Sequence, residues 1–173
     1  MKLPNLPTMS FSVMLVIRIT QGLFASLVLI LSGFVANWYN TTTTVPTPSE
    51  IKFLIFGAIW SCLSLLCIEV MIPRFLPRTL KTHHHLLLLP LEATNALFYF
   101  AGFIALSVFL SKLLFCRGAV CHVAQADVAL AAFSFAVWTA SAVITGLESV
   151  RAGRKGGVMH AGTGAVPMKE AAA

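Results

Sequence analysis

The hydrophobic positions of the chain form four long runs separated by short polar segments. The runs cover about residues 13–36, 51–72, 86–110 and 123–150. A helix needs roughly 20 apolar residues to cross a hydrocarbon core of about 30 Å, so each run predicts one membrane-spanning helix. Short connections favour antiparallel neighbours. We therefore expect an all-α protein, a four-helix transmembrane bundle.

The composition agrees with lipid as the solvent. Hydrophobic residues make up 58% of the 173 positions and charged residues only 10%, whereas a typical soluble domain is about 25% charged. So few polar residues could not cover the apolar surface of a soluble domain of this length. The first run is too long for a secretory signal peptide and no small-residue cleavage site precedes the first polar loop, so we expect this helix to be retained.

The distribution of Lys and Arg predicts which ends of the helices face the cytosol. Eight basic residues fall on the side of both termini, three fall on the opposite side, and Arg18 lies inside a run. Residues 1–12 and 151–173 are then cytosolic, and the Gly- and Ala-rich tail is expected to be disordered. Anionic headgroups could bind the basic cytosolic rim, although the ordinary positive-inside bias also explains it. The rim consists of Arg74, Arg78, Lys81, Arg151, Arg154 and Lys155.

Three charged residues, Arg18, Glu69 and Glu92, lie inside the runs at a similar predicted depth. Gln21 follows Arg18 by three residues and Asn95 follows Glu92 by three, so each pair shares one helix face. A charge at the membrane centre costs at least ~2.5–3.5 kcal/mol, which favours pairing. We therefore predict an intramembrane polar cluster of these five residues.

Two other interpretations of these charges remain open. Arg18 and Glu69 could extend separately to the nearest interface, or Glu92 could be a protonatable carboxylate in a transport path. Asp127 and Glu148 lie nearer the ends of the fourth run, and we expect both to be edge residues, Asp127 within reach of Lys112 or Arg117.

The remaining candidate sites are modification sites. Asn40 begins an N-x-T sequon in the first outer loop, which makes it a candidate for N-glycosylation. Cys116 and Cys121 lie in the second outer loop, where they could form a disulfide or stay as two free thiols. Cys67 lies at the cytosolic end of the second run, where either palmitoylation or apolar packing is consistent with its position.

Small residues recur at four-residue spacing on three of the runs, which predicts close approach of helices at these stripes. The stripes are Gly22 and Ser26, then Ala101 and Ala105, then Ala132, Ala136 and Ala140.

No catalytic or metal constellation stands out in the sequence. Paired Cys or Cys/His zinc spacings are missing, and His83–His85 are three adjacent side chains that point in different directions, so we interpret them as a polar interfacial patch. No cofactor is implied. The basic residues are few and follow the topology, so binding of nucleic acid is not expected.

Three stretches of the chain read "VIRITQGLFASLVLILSG", "LEATNALFYFAGFIALS" and "C…AQADVALAAFSFAVWTAS". They resemble the fungal MARVEL-domain proteins, which include the non-classical-export-type tetraspan proteins of the plasma membrane. The resemblance covers about residues 10–150, and the Arg-x-x-Gln, Glu-x-x-Asn and Cys-x₄-Cys elements sit in corresponding places. The first outer loop is short and lacks cysteine, which argues against claudin-like proteins.

The resemblance implies a non-enzymatic protein that organises lipid-rich plasma-membrane domains or membrane traffic. Its partners would be sterol, sphingolipid and anionic lipids, together with further copies of itself or other membrane proteins. The alternative is a small oligomeric transporter or ion channel that uses Arg18, Glu92 and Asn95. A membrane enzyme has no support beyond the histidines.

Overall fold

The computed structural model describes residues 11–71, 84–112 and 118–161. These residues form four α-helices, each with a stretch long and apolar enough to cross a membrane, and the same residues contain no strand. The expected all-α, four-helix transmembrane fold is therefore confirmed. The helices are α1 (Phe11–Thr42), α2 (Ser49–Leu66), α3 (His84–Lys112) and α4 (Ala119–Ala161). A π-helical turn, Cys67–Met71, continues α2.

Two helices extend beyond their predicted runs. α1 continues to Thr42, because no proline interrupts the chain before Pro46. α4 begins at Ala119, directly after Gly118, whose φ of 100° suits glycine and turns the chain into the helix. α4 then continues to Ala161, into the segment that we expected to be disordered. That segment contains no proline as far as Ala161, so no proline ring ends the helix there.

The four helices form a square in which each packs against two neighbours. α1 contacts α2 and α4, and α3 contacts α2 and α4, whereas the diagonal pairs barely touch. Neighbours in sequence are thus neighbours in space, as short connections favour.

The buried positions of α1 and α4 alternate at spacings of three and four residues, an average of 3.5, which keeps one seam of each helix facing its neighbours. On α1 they are Arg18, Gln21, Ala25, Val28, Ser32 and Val35. On α4, after Cys121 near its start, they are Ala124, Asp127, Ala131, Ser134, Trp138, Ser141 and Thr145.

The predicted small-residue stripes do not coincide with these seams. Ser26, Ala101, Ala136 and Ala140 are exposed on the outside of the bundle. The prediction that the helices approach at these stripes is wrong, because a strict four-residue spacing drifts around the helix away from a 3.5-residue seam.

Close approach occurs instead at Gly102 on α3. A Cβ atom added there would lie 2.5 Å from Cδ2 of Leu54 on α2, so only glycine fits without displacing the neighbouring side chain. Leu54 is itself almost completely buried. The close packing of α2 against α3 therefore depends on glycine, which has no side chain, at position 102.

The bundle is apolar outside and partly polar inside. Many large aliphatic and aromatic side chains on the helices are exposed, as a lipid environment requires. Examples are Val16, Ile19, Leu23, Ile30 and Phe34 on α1, and Leu97, Phe100 and Val108 on α3. Buried polar residues face inward, and they are the candidate functional groups.

Candidate functional site

Arg18 lies in the interior of the bundle, with only 7% of the residue exposed. Its Nη2 is 2.5 Å from Oε1 of Glu92, an ion pair that joins α1 to α3 across the diagonal of the square. Its Nη1 donates a hydrogen bond of 3.0 Å to Oε1 of Gln21, one turn along α1. The buried cation is therefore held by a carboxylate and an amide, the arrangement that a charge inside a membrane requires.

Glu92 on α3 is completely buried and is shared by three helices. Its Oε1 accepts the bond from Arg18 and a second bond of 2.8 Å from Oγ of Ser141 on α4. Its Oε2 has no hydrogen-bond partner. One carboxylate thus fixes the relative positions of α1, α3 and α4.

Glu69 completes the charged group from the π-helical turn after α2. Its Oε1 lies 3.6 Å from Nε of Arg18, and 53% of its side chain is exposed. This distance is too long for a hydrogen bond, so Glu69 contributes a screened attraction. Its exposure places the Arg18–Glu92 pair near one end of the polar interior, which we call the Arg18 end.

Asn95 does not join this group. Its Oδ1 accepts a 2.7 Å hydrogen bond from Oγ of Ser61 on α2, and its Nδ2 donates a 2.8 Å bond to the backbone carbonyl of Leu91. The five predicted cluster residues therefore divide into two: Arg18, Gln21, Glu69 and Glu92 lie together, and Asn95 bridges α2 and α3 one turn further along.

Asp127 on α4 is a second buried carboxyl group. It is completely buried, and its Oδ2 accepts a hydrogen bond of 2.5 Å from Oγ of Ser32 on α1. The prediction of an edge residue is wrong, because α4 begins at Ala119 and places Asp127 more than two turns inside the helix, where it is completely buried. Arg117, one of its two predicted partners, lies outside the described residues. Within the described ranges, no Lys or Arg forms an ion pair with it.

Three serines of the network were not predicted from the sequence: Ser32, Ser61 and Ser141. Each donates a side-chain hydrogen bond to another helix. The spacing of Asp127 and Ser141 in the sequence could have indicated this. They lie fourteen residues apart, which is two seven-residue repeats, and residues at that spacing lie on the same face of a helix.

The chain matches the MARVEL family, described as a membrane-associating domain, over residues 10–144. The chain belongs to the MARVEL family. No curated protein and no solved structure gives a significant match. With four helices able to span a membrane, this MARVEL protein is an integral, multi-pass membrane protein. The matched region contains Arg18, Glu92 and Asp127, so the polar network lies inside the MARVEL domain.

The candidate modification sites of this MARVEL protein lie away from the network. Asn40 is exposed in the last turn of α1, and its Oδ1 accepts a 2.9 Å hydrogen bond from Oγ1 of Thr47. Cys121 is disulfide-bonded, but Cys116 lies outside the described residues, so their pairing stays a prediction. Cys67 is a free, half-buried thiol at the start of the π-helical turn, and its palmitoylation stays a prediction.

Of the basic rim, only Arg151 has a described side chain, and it is exposed. Arg154 and Lys155 belong to α4, although their side chains are outside the described part. Arg74, Arg78 and Lys81 lie outside the described residues altogether.

Proposed function

We propose that this MARVEL protein is a non-enzymatic membrane protein that organises lipid-rich domains of the plasma membrane and takes part in membrane traffic. The observation that carries the proposal is the compensation of Arg18 by Glu92 and Gln21. Arg18 therefore holds helices together. We infer that the protein acts through the outer surface of the bundle, by lateral contacts with lipids and other membrane proteins.

The outer surface supports a lateral role. A groove of about 500 Å³ runs between α3 and α4, lined almost entirely by apolar side chains. Ala93 and Ala96 on α3 and Ala142 on α4 leave room for the groove because their side chains are small, while Phe135 supplies an aromatic ring. Small and aromatic residues together make a concave apolar surface that suits a sterol or an acyl chain of a sphingolipid.

The proposed partners at the membrane surface are anionic headgroups. Arg151 is exposed near the end of the membrane-spanning part of α4. A basic residue near an anionic bilayer surface contributes about 1 kcal/mol of attraction. We infer that this end of the bundle faces the cytosolic leaflet and that copies of the protein associate in lipid-rich patches.

Partition in giant vesicles tests the proposal. The full-length protein, labelled at its N-terminus, would be reconstituted into vesicles in which sterol- and sphingolipid-rich domains coexist with fluid ones. We expect the protein to concentrate in the ordered domains or at their boundaries. Uniform distribution, with domain size unchanged by the protein, would contradict the proposal.

Two matched variants identify the surface involved. Ala93→Leu adds bulk inside the groove, whereas Ala136→Leu adds the same bulk at an exposed position of α4 that does not line it. We expect Ala93→Leu to reduce partition and Ala136→Leu to leave it unchanged. Equal effects of the two variants would exclude the groove as the lipid-selective surface.

A second candidate function, a small oligomeric transporter or channel, is favoured by one observation. Glu92 Oε2 and Asp127 Oδ1 are buried carboxyl oxygens without hydrogen-bond partners, and such groups occur along ion pathways. Proton or ion flux into liposomes would distinguish the two functions. Flux that Glu92→Gln abolishes without lowering thermal stability would favour transport, whereas no flux together with a less stable variant would favour the scaffold.

A further inference from the structure

The interior contains several polar atoms that make no hydrogen bond, although their side chains are at most 2% exposed. They are Gln21 Nε2, Glu92 Oε2, Tyr99 OH, Asp127 Oδ1, Trp138 Nε1 and Thr145 Oγ1. Leaving one such group without a partner costs about 1–3 kcal/mol. Native proteins rarely tolerate this, and the usual partner of such a group is an internal water molecule.

Three of these atoms belong to one layer of the bundle. Gln21 and Glu92 are both bound by Arg18, and Trp138 lies one turn from Ser141, which also binds Glu92. The layer therefore combines two unpartnered donors, the amide nitrogen and the indole nitrogen, with one unpartnered carboxylate oxygen. Bound water can accept from these donors and donate to the carboxylate.

A second layer lies toward Asp127. Tyr99 lies one turn beyond Asn95 on α3, and its completely buried hydroxyl makes no hydrogen bond. Asp127 Oδ1 is an unpartnered acceptor on α4. Further waters that accept from Tyr99 and donate to Asp127 would satisfy both groups.

The two ends of this polar seam differ. At the Arg18 end, Thr145 adds another unpartnered hydroxyl, and the exposed Glu69 contacts Arg18. Beyond Asp127 the buried residues, apart from Thr47 and Cys121, belong to one apolar cluster. Its members there are Val35, Ile51, Leu54, Leu106 and Ala124. Water therefore has a polar entrance at the Arg18 end and an apolar barrier at the other.

We propose that the interior of the bundle is a one-sided water inlet, a binding site for ordered water that opens at the Arg18 end and stops at Asp127. The inlet connects both buried carboxyl groups to one face of the membrane only. It does not depend on the proposed function, because a closed inlet is compatible with a scaffold and excludes a continuous channel.

Radiolytic hydroxyl-radical footprinting of the full-length protein in nanodiscs tests the proposal, because radicals formed from bound water modify adjacent side chains. We expect oxidation of Trp138 and Tyr99, although neither ring is exposed. Gln21→Met keeps the shape of the side chain and removes the donor. This variant should lower the oxidation rate of Trp138 about fivefold to tenfold, because losing one hydrogen bond lowers the occupancy of the water by about that factor. The oxidation rate of Tyr99 should stay unchanged.

The matched control is Ser26→Ala, an exposed position on the same helix, which should change neither oxidation rate.

Pulses in H₂¹⁸O test the entrance. Thr145→Val removes the hydroxyl at the Arg18 end and should slow incorporation of ¹⁸O at both rings. Failure of both rings to oxidise overturns the bound water, and incorporation as fast in Thr145→Val as in wild type overturns the entrance. Oxidation of Leu54 or Leu106 at a rate similar to exposed leucines overturns the barrier.

Discussion

The Arg18 end of the bundle and its Asp127 end each bury a carboxyl group, but the two ends surround it differently. Glu92 has a guanidinium at 2.5 Å and a serine hydroxyl, and it links three helices. Asp127 has one serine hydroxyl, links two helices and lies next to an apolar cluster. Electrostatic pairing therefore positions the helices at the Arg18 end, whereas close apolar packing positions them at the Asp127 end.

The largest predicted effect is at Glu92. Glu92→Gln leaves the buried guanidinium of Arg18 without its main counterion, and breaking a buried pair in this way costs about 3–5 kcal/mol of unfolding free energy. Unfolding by sodium dodecyl sulfate in mixed micelles measures the loss. Glu69→Gln is the matched control. Its side chain is 53% exposed, so its loss should stay below about 1 kcal/mol. Similar losses of unfolding free energy in the two variants would show that the buried partner of Arg18, Glu92, matters no more than the exposed one, Glu69.

The next effect tests apolar packing at the Asp127 end. Gly102→Ala places a methyl group 2.5 Å from Cδ2 of Leu54, and the resulting overpacking should cost about 1–3 kcal/mol. Gly33→Ala is the control, because a Cβ there meets no atom within 4 Å. Equal midpoints for Gly102→Ala and wild type in the same unfolding assay would contradict the close approach of α2 and α3.

A smaller effect is expected at Ser32. Ser32→Ala removes the hydrogen bond to Asp127. Interhelical hydrogen bonds in membranes average about 0.6 kcal/mol, and the acceptor left without a partner adds a further penalty. We expect a loss of about 1 kcal/mol. Ser26→Ala should lose almost nothing, because that hydroxyl bonds only to the carbonyl of Gly22 in its own helix. A loss at Ser32 as large as that at Glu92 would make the two ends equivalent.

The smallest effect is predicted for Asp127→Asn. Asparagine keeps an oxygen that can accept from Ser32, and no described cation pairs with Asp127. Its unfolding free energy should therefore change by less than about 0.5 kcal/mol. A loss of several kcal/mol would reveal a cation partner for Asp127 and remove the contrast with Glu92.

The sequence predicts the Arg18 end better than the Asp127 end, for a physical reason. Arg18 and Glu92 are costly in lipid wherever they lie along a span, so the depth of each within its run is enough to suggest pairing. Among the described residues no cation pairs with Asp127, and its depth depends on where α4 begins. The true start at Ala119 moves it from the expected interface into the core.

The serines show a second limit of prediction. Ser32, Ser61 and Ser141 look like ordinary small packing residues in an apolar run, and only the seam on which each lies determines whether its hydroxyl reaches another helix. The four-residue alanine stripe on α4 suggested the wrong face. Counting positions at alternating spacings of three and four from Ala124 would have found the right one.

A double-mutant cycle between Arg18 and Glu92 tests the central claim most directly. The unfolding free energies of Arg18→Met, Glu92→Gln and the double variant would be measured in the same micelles. We predict that the double variant is more stable than Glu92→Gln alone, because it no longer contains a buried cation without a counterion. A loss in the double variant equal to the sum of the two single losses would show that the residues do not interact, and would contradict the account.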